Sequence, residues 1–251
     1  MTQYCEKHHT PMIEILALGH ALPPQCPECA AEFDREDALA EDELRRTPPP
    51  PVVAGLAARY TGRTLADWTP DFGGEPAARC LAKAAAYIEH LDHHLRTGAN
   101  ILMLGTVGTG KTMLASIIAL EVARRRHTAR ITTEQLLIRT VRSAWSRTSD
   151  TTEEQTIRLF TDVDFLVIDE VGVRNGTDSE DLILIEIIGR RYDACRPTCL
   201  ISNADDEGFK SMLDPRIIDR LRDDYVKMSF RWPSARGRKQ SNVVNLQQQA
   251  Q

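Results

Sequence analysis

The octapeptide Gly105–Thr112, "GTVGTGKT", holds the residue types and spacing needed to grip a chain of phosphates. Two glycines separated by four residues and followed by Lys-Thr make a phosphate loop. Gly105, Gly108 and Gly110 let the backbone curl until its N–H groups face an anion. A helix starting at Lys111 would aim its positive end at the same point. Lys111 is placed to pair with β- and γ-phosphates, and the Thr112 hydroxyl to ligate Mg²⁺. Thr106, Val107, Thr109 and Met113 complete the expected nucleotide-contacting set. The loop lies between an apolar run, "ANILMLG", and a helix-forming one, which is the context the motif requires.

Three further stretches add chemistry. "FLVIDE", residues 165–170, is a strand pattern that delivers Asp169 and Glu170 at its C-terminal end, the edge where open parallel sheets bind ligands. Asp169 would hold Mg²⁺ through water, and Glu170 would orient or activate the attacking water. "LISN" ends in Asn203, whose amide can contact the γ-phosphate or the water, or can simply cap the strand. "DPRIIDRLRDD" carries Arg216, Arg220 and Arg222 on an amphipathic helix whose apolar face is Ile217, Ile218 and Leu221. Phosphoryl transfer often uses an arginine supplied by a neighbouring subunit. In a ring- or spiral-forming ATPase, Arg220 would reach the neighbour's γ-phosphate.

The N-terminus offers a second kind of chemistry. Cys5-x2-His8 and Cys26-x2-Cys29 are two ligand pairs separated by 17 residues, the spacing of a zinc ribbon. Four N/S ligands complete a tetrahedral Zn²⁺ site, with His9 as an alternative to His8. A region this short cannot fold on a hydrophobic core, so it either binds metal or stays a disordered leader with incidental cysteines.

The elements that must position these groups are legible in outline. The chain has 251 residues, 42% hydrophobic and 27% charged, an ordinary globular composition. It has no apolar run long enough to span a membrane and no secretory core at "MTQYCEKHHT", so a cytoplasmic protein is expected. Six cysteines in a reducing compartment then argue for metal ligands or core residues rather than disulfides. The net charge of −5 hides an acidic stretch at 34–46 and a basic one at 214–239, the latter suited to phosphate. Three regions follow: a zinc-ribbon-like module at 1–33, an acidic helix and Pro-rich linker at 34–74, and an α/β domain at 75–251. In that domain bare apolar strands alternate with helices, which predicts a parallel sheet covered on both faces. One helix is expected over 75–96 and another over 134–147.

This order of motifs resembles the AAA+ P-loop ATPases, and more narrowly the DnaC-type bacterial and phage replicative helicase loaders, over about residues 60–239. "TLADW" resembles the family's leading segment. "FLVIDEVGVRNGTDSEDLILIEIIGRRYDACRPTCLISN" resembles its run from acidic strand to polar sensor strand. "DPRIIDRL" stands in the arginine-finger box, and "SFRWPSARGR" resembles its C-terminal segment. The resemblance implies the roles given above for Lys111, Thr112, Asp169, Glu170, Asn203 and Arg220. It makes Arg236 or Arg238 the cis nucleotide-sensing arginine. Val107 departs from the proline common at that position, and about 20 residues after the last strand leave no room for a full helical lid. It also implies a DnaB-type hexameric helicase and single-stranded DNA as partners, self-association into a ring or spiral on the helicase, and hydrolysis of ATP as a switch. The N-terminal region would grip the helicase. The IstB-type transposition helpers share these motifs, and an ATP-binding adaptor that never hydrolyses would share the loop.

Other groups are less specific. Arg139, Arg142 and Arg147 surround Trp145, which suits single-stranded nucleic acid, or else Trp145 is buried against the sheet with the arginines solvated. His90, His93 and His94 lack a zincin glutamate and read as a solvated face. Cys80, Cys195 and Cys199 read as packing residues.

Overall fold

The computed structural model describes residues 3–13, 16–17, 20–21, 26–32, 52–146, 148–173 and 177–235. The chain divides into two compact units, Met1–Pro49 and Pro50–Gln251. The acidic stretch at 34–46, the proline run, Arg147, Arg236, Arg238 and the Gln-rich tail lie outside the described residues.

In the first unit a tight turn carries Cys5 and His8. It is closed by Cys5 N–H to Thr10 O and His9 N–H to Cys5 O, both at 2.9 Å. A two-residue antiparallel pair follows, β1 (Leu16–Ala17) with β2 (His20–Ala21). Cys26 then leads into helix α1, described over residues 27–32 and carrying Cys29. Pro27 in its first turn has the φ a helix start needs and no N–H to leave unpaired. The first ligand pair therefore sits in a knuckle, and the second on a helix start.

The second unit is built on one parallel sheet of six strands in the order β3-β5-β6-β7-β4-β8. The strands are β3 (Val53–Ala54), β4 (Asn100–Gly105), β5 (Ala129–Thr133), β6 (Phe165–Asp169), β7 (Thr198–Ser202) and β8 (Tyr225–Phe230). After β4 the chain crosses to β5, steps back through β6 and β7, then passes beyond β4 to β8. The C-terminal end of β4 is thus a topological switch point, where such sheets leave a ligand crevice.

The apolar runs are explained by burial on both faces. Ile101, Met103, Phe165, Val167, Cys199 and Ile201 point into one core. Leu104, Leu166, Ile168 and Leu200 point into the other. Burying each such side chain contributes about 1.5–3 kcal/mol. The first face is covered by α2 (Gly74–Glu89) and α4 (Lys111–Arg124). The second is covered by α5 (Glu134–Ser143), α6 (Glu153–Thr161), α7 (Asp178–Asp193), α8 (Asp206–Met212) and α9 (Pro215–Arg222).

Several expectations need correction. In the second unit regular structure is already present at Val53, ahead of Glu75, because the two residues of β3 pair with Ala129 and Arg130 of β5. A strand that short carries no periodicity to read. The helix expected over 75–96 is broken at His90 into α2 and α3 (Leu91–Thr97), and His94 stacks on the buried Tyr87 ring at 4.4 Å instead of standing in solvent. Helix α5 stops at Ser143. Helices α6 and α8 come from stretches with too few turns to show a period. Cys80 and Cys199 are buried as expected, but Cys195 is exposed at a turn with φ 52°.

Arg191 was also unforeseen. Its side chain is fully buried and donates to the carbonyls of Phe160, Thr161, Val163, Asp164 and Pro197 and to Thr198 Oγ1. It fastens the N-terminal ends of β6 and β7, the edge opposite the crevice. Desolvation brings its guanidinium down to about 9.

Candidate functional site

The phosphate loop leaves β4 and enters α4 through three left-handed glycines, with φ of 136° at Gly105, 79° at Gly108 and 96° at Gly110. Only residues without a Cβ adopt such angles freely. At Gly105 a Cβ would also stand 2.1 Å from Phe230 O. The loop is anchored from outside. Thr106 N–H donates to Phe230 O at 3.0 Å, Thr106 Oγ1 to Trp232 O at 2.9 Å, and Ala235 N–H to Gly108 O at 2.9 Å. Trp68 Nε1–H donates to Gly110 O at 3.1 Å while its ring packs edge-on against Phe230 and Trp232.

Lys111 is 5% exposed, and its ammonium donates to Gly105 O and Thr106 O at 2.7 Å and to Asn203 Oδ1 at 3.0 Å. Thr112 Oγ1 donates to Asp169 Oδ2 at 2.6 Å, and Asp169 Oδ1 accepts from Glu170 N–H at 2.7 Å. One cation, one hydroxyl, two acids and one amide therefore converge from the ends of three adjacent strands. Glu170 itself takes φ 57°. A non-glycine residue there costs about 1 kcal/mol or more and persists only where its surroundings hold it.

A cavity of about 530 Å³ opens over this cluster, lined by Val107–Met113, Asp169, Glu170 and Asn203, with Arg59 and Tyr60 on its far side. The donor set fits a nucleotide triphosphate. The loop supplies N–H groups and an ammonium, and Tyr60 offers a π-face on a 3₁₀ turn, Ala58–Tyr60. A Mg²⁺ ion held by Thr112 and Asp169 would draw charge from the phosphate oxygens. Glu170 lines the same cavity and is exposed. Trp68, Arg59 and Tyr60 escaped the sequence reading because they lie ahead of α2 on short turns without periodicity. The tryptophan in "TLADW" was their only signal.

Arg220 lies elsewhere. Its Nη1 reaches Ile185 O of α7 at 3.4 Å, and a Cβ on Gly189 would come within 2.9 Å of the same nitrogen. It does not line the cavity over the phosphate loop. Of its neighbours, Arg216 is bound to Asp214 through two bonds of 2.9 Å, bringing that carboxyl down to about 2, and Arg222 is exposed. Trp145 is half exposed in the turn after α5, not buried against the sheet, and Arg139 is exposed on α5. Arg142 is taken up by α7, as described below.

In the first unit the ligand atoms of Cys5, His8, Cys26 and Cys29 lie within 4.8 Å of one another. His8 Nδ1 stands 3.9, 3.6 and 3.3 Å from the three sulfurs, and Cys5 Sγ is 3.7 Å from Cys29 Sγ. A tetrahedron with ordinary Zn–S and Zn–N bonds has edges of about 3.8 and 3.5 Å, so the donor set fits zinc. The sulfur separation is far too long for a disulfide. His8 Nε2 meets Glu32 Oε1 at 3.2 Å, which turns Nδ1 inward, while His9 is exposed outside the cluster. Backbone N–H donation from His8 brings the Cys5 thiol down to about 6, and desolvation pushes Cys29 up to about 11.

The sheet order, loop and acidic strand end together define an AAA+ P-loop nucleotide-binding protein. The IstB-like ATP binding protein family matches residues 56–242. The replicative helicase loader DnaC of Escherichia coli K12 is 33% identical over 165 residues, 65% of this chain and 66% of that protein. DnaC of Buchnera aphidicola from Schizaphis graminum is 30% identical over 184 residues, 73% of each chain. A crystal structure of the DnaC helicase loader superposes with a TM-score of 0.61 at 17% identity, covering 69% of this chain and 99% of that one. The chain belongs to the IstB/DnaC family of ATP-binding proteins. No helix among its described residues is long and apolar enough to cross a membrane.

Proposed function

We propose that this chain is a cytoplasmic, ATP-dependent loader that binds a DnaB-type hexameric replicative helicase and helps place it on single-stranded DNA. Two relatives at 30–33% identity bear the name replicative helicase loader. The observation that carries the reading is the separation of Arg220 from its own nucleotide cavity, beside an otherwise assembled site. A finger that cannot serve its own phosphate suits a protein that hydrolyses ATP only when copies assemble. Lys111 and the loop would hold ATP, Thr112 and Asp169 Mg²⁺, Asn203 and Glu170 the attacking water. Arg236 or Arg238 would sense the nucleotide in cis. The zinc-holding unit would grip the helicase, and the exposed Trp145 and Arg139 would meet the DNA.

The test is subunit mixing in the presence of helicase and single-stranded DNA. Arg220→Ala should bind ATP normally yet lose stimulated hydrolysis by about 10³-fold, the effect of an absent finger. Mixing it with Lys111→Ala, which lacks a site but keeps a finger, should restore part of the activity. Wild-type hydrolysis by Arg220→Ala alone would sink the reading. The family match equally admits an IstB-type transposition helper. That role predicts assembly on duplex DNA that grows with its length, without helicase.

A further inference from the structure

We propose that helix α5 is the element that positions Glu170 for hydrolysis, with Glu134 and Arg142 as its two fastenings; the inference rests on the reading that Glu170 drives hydrolysis. Glu134 begins the helix and is completely buried, an unusual place for a carboxylate. Its Oε2 accepts from Gly172 N–H at 2.6 Å, two residues after Glu170. Gly172 has φ 93° and Glu170 φ 57°, so this turn takes two left-handed residues within three. Val173 N–H to Glu170 O at 3.1 Å closes the turn, and Ser202 Oγ to Val171 O at 2.7 Å ties it to β7. Glu134 is the only one of these anchors that reaches the turn from another helix.

At the other end of α5, Arg142 donates to Thr177 Oγ1 at 3.0 Å, Ser179 Oγ at 2.6 Å and Glu180 Oε1 at 3.3 Å. Those residues form the start of α7, where Glu180 Oε2 also accepts from Thr177 N–H at 3.2 Å. The connection from Glu170 to α7 is thus held at both of its described ends by one ten-residue helix. Trp145 and Arg139, the surface assigned to DNA, stand at the Arg142 end. A ligand that shifts this end of α5 would move the turn that carries Glu170. Single-stranded DNA would therefore act on catalysis through α5 and leave nucleotide affinity alone.

Steady-state hydrolysis and fluorescent-nucleotide binding are measured, with and without oligo-dT, for Glu134→Ala, Glu134→Gln and Arg142→Ala. Glu134→Ala should lower kcat by about tenfold or more with KM and nucleotide Kd unchanged, as expected when a catalytic group loses its orientation. Glu134→Gln keeps an acceptor for Gly172 N–H and should recover most of that loss. Arg142→Ala, at a side chain 34% exposed, should lower kcat in the same sense and abolish the response to oligo-dT. A folded Arg142→Ala with wild-type kcat and wild-type stimulation would overturn the proposal, even if Glu134→Ala does not fold. Glu170→Gln separates the two readings. If it hydrolyses normally, the assignment of Glu170 fails; if it is inactive while the α5 variants are normal, only the role of α5 fails.

Discussion

Lys111→Ala is expected to lower kcat/KM for ATP by about a thousandfold, through losses in binding and in turnover together. The ammonium is buried and donates to Gly105 O, Thr106 O and Asn203 Oδ1. Two of these acceptors are carbonyls at the base of the loop, so the lysine already stands where phosphate oxygens must arrive. Losing a charge-assisted hydrogen bond costs about 1.5–3 kcal/mol, or about 10- to 100-fold in affinity. Losing a cation aimed at developing charge costs about 10²–10³-fold in turnover. The two overlap, which keeps the combined figure near 10³ rather than their product. Fluorescent-nucleotide titration and steady-state hydrolysis measure the two parts, with circular dichroism as the check on folding. An alanine variant that binds and turns over ATP within threefold of wild type would mean that the loop does not hold the phosphates.

Removing zinc is expected to unfold the first unit and spare the second. Among the residues before 50 whose burial is described, Cys26 is the only buried apolar side chain, and it is itself one of the four ligands. Structural zinc binding in such small units is worth about 10–16 kcal/mol and is itself the folding free energy. The protein should carry one zinc per chain by elemental analysis. Chelation, or Cys26→Ser, should abolish amide protection in the turn at Cys5–Thr10 while nucleotide affinity stays unchanged. Glu32→Ala should weaken zinc by about 10- to 100-fold, because it removes the acceptor that holds the far nitrogen of His8. A metal-free protein with full protection there would refute the site.

The sequence made the nucleotide site readable because its chemistry is local. Eight consecutive residues supply the cradle, and the short apolar strands that end in Asp169 and Asn203 announce which edge they share. The sheet was readable for the same reason, since both faces of each central strand are buried and the runs are bare. What stayed hidden was whatever depends on contact across the fold. Trp68 reaches Gly110 over 42 positions, and Glu134 reaches Gly172 over 38. Neither residue type signals its partner. Arg142 looked like a DNA contact because a guanidinium beside an aromatic suits one, yet its hydrogen bonds go to α7. The choice between His8 and His9 also needed three dimensions, because both follow Cys5 at ligand-compatible spacing.

The proposed function has this chain assemble on a replicative helicase. Light scattering after size exclusion, on a mixture with the replicative helicase of the same host, with and without ATP, tests it most directly. A stable complex containing several copies of this chain is expected, with Arg220 of one copy brought to the cavity of the next. Absence of a complex under either condition would contradict that function and leave the transposition-helper role as the better reading.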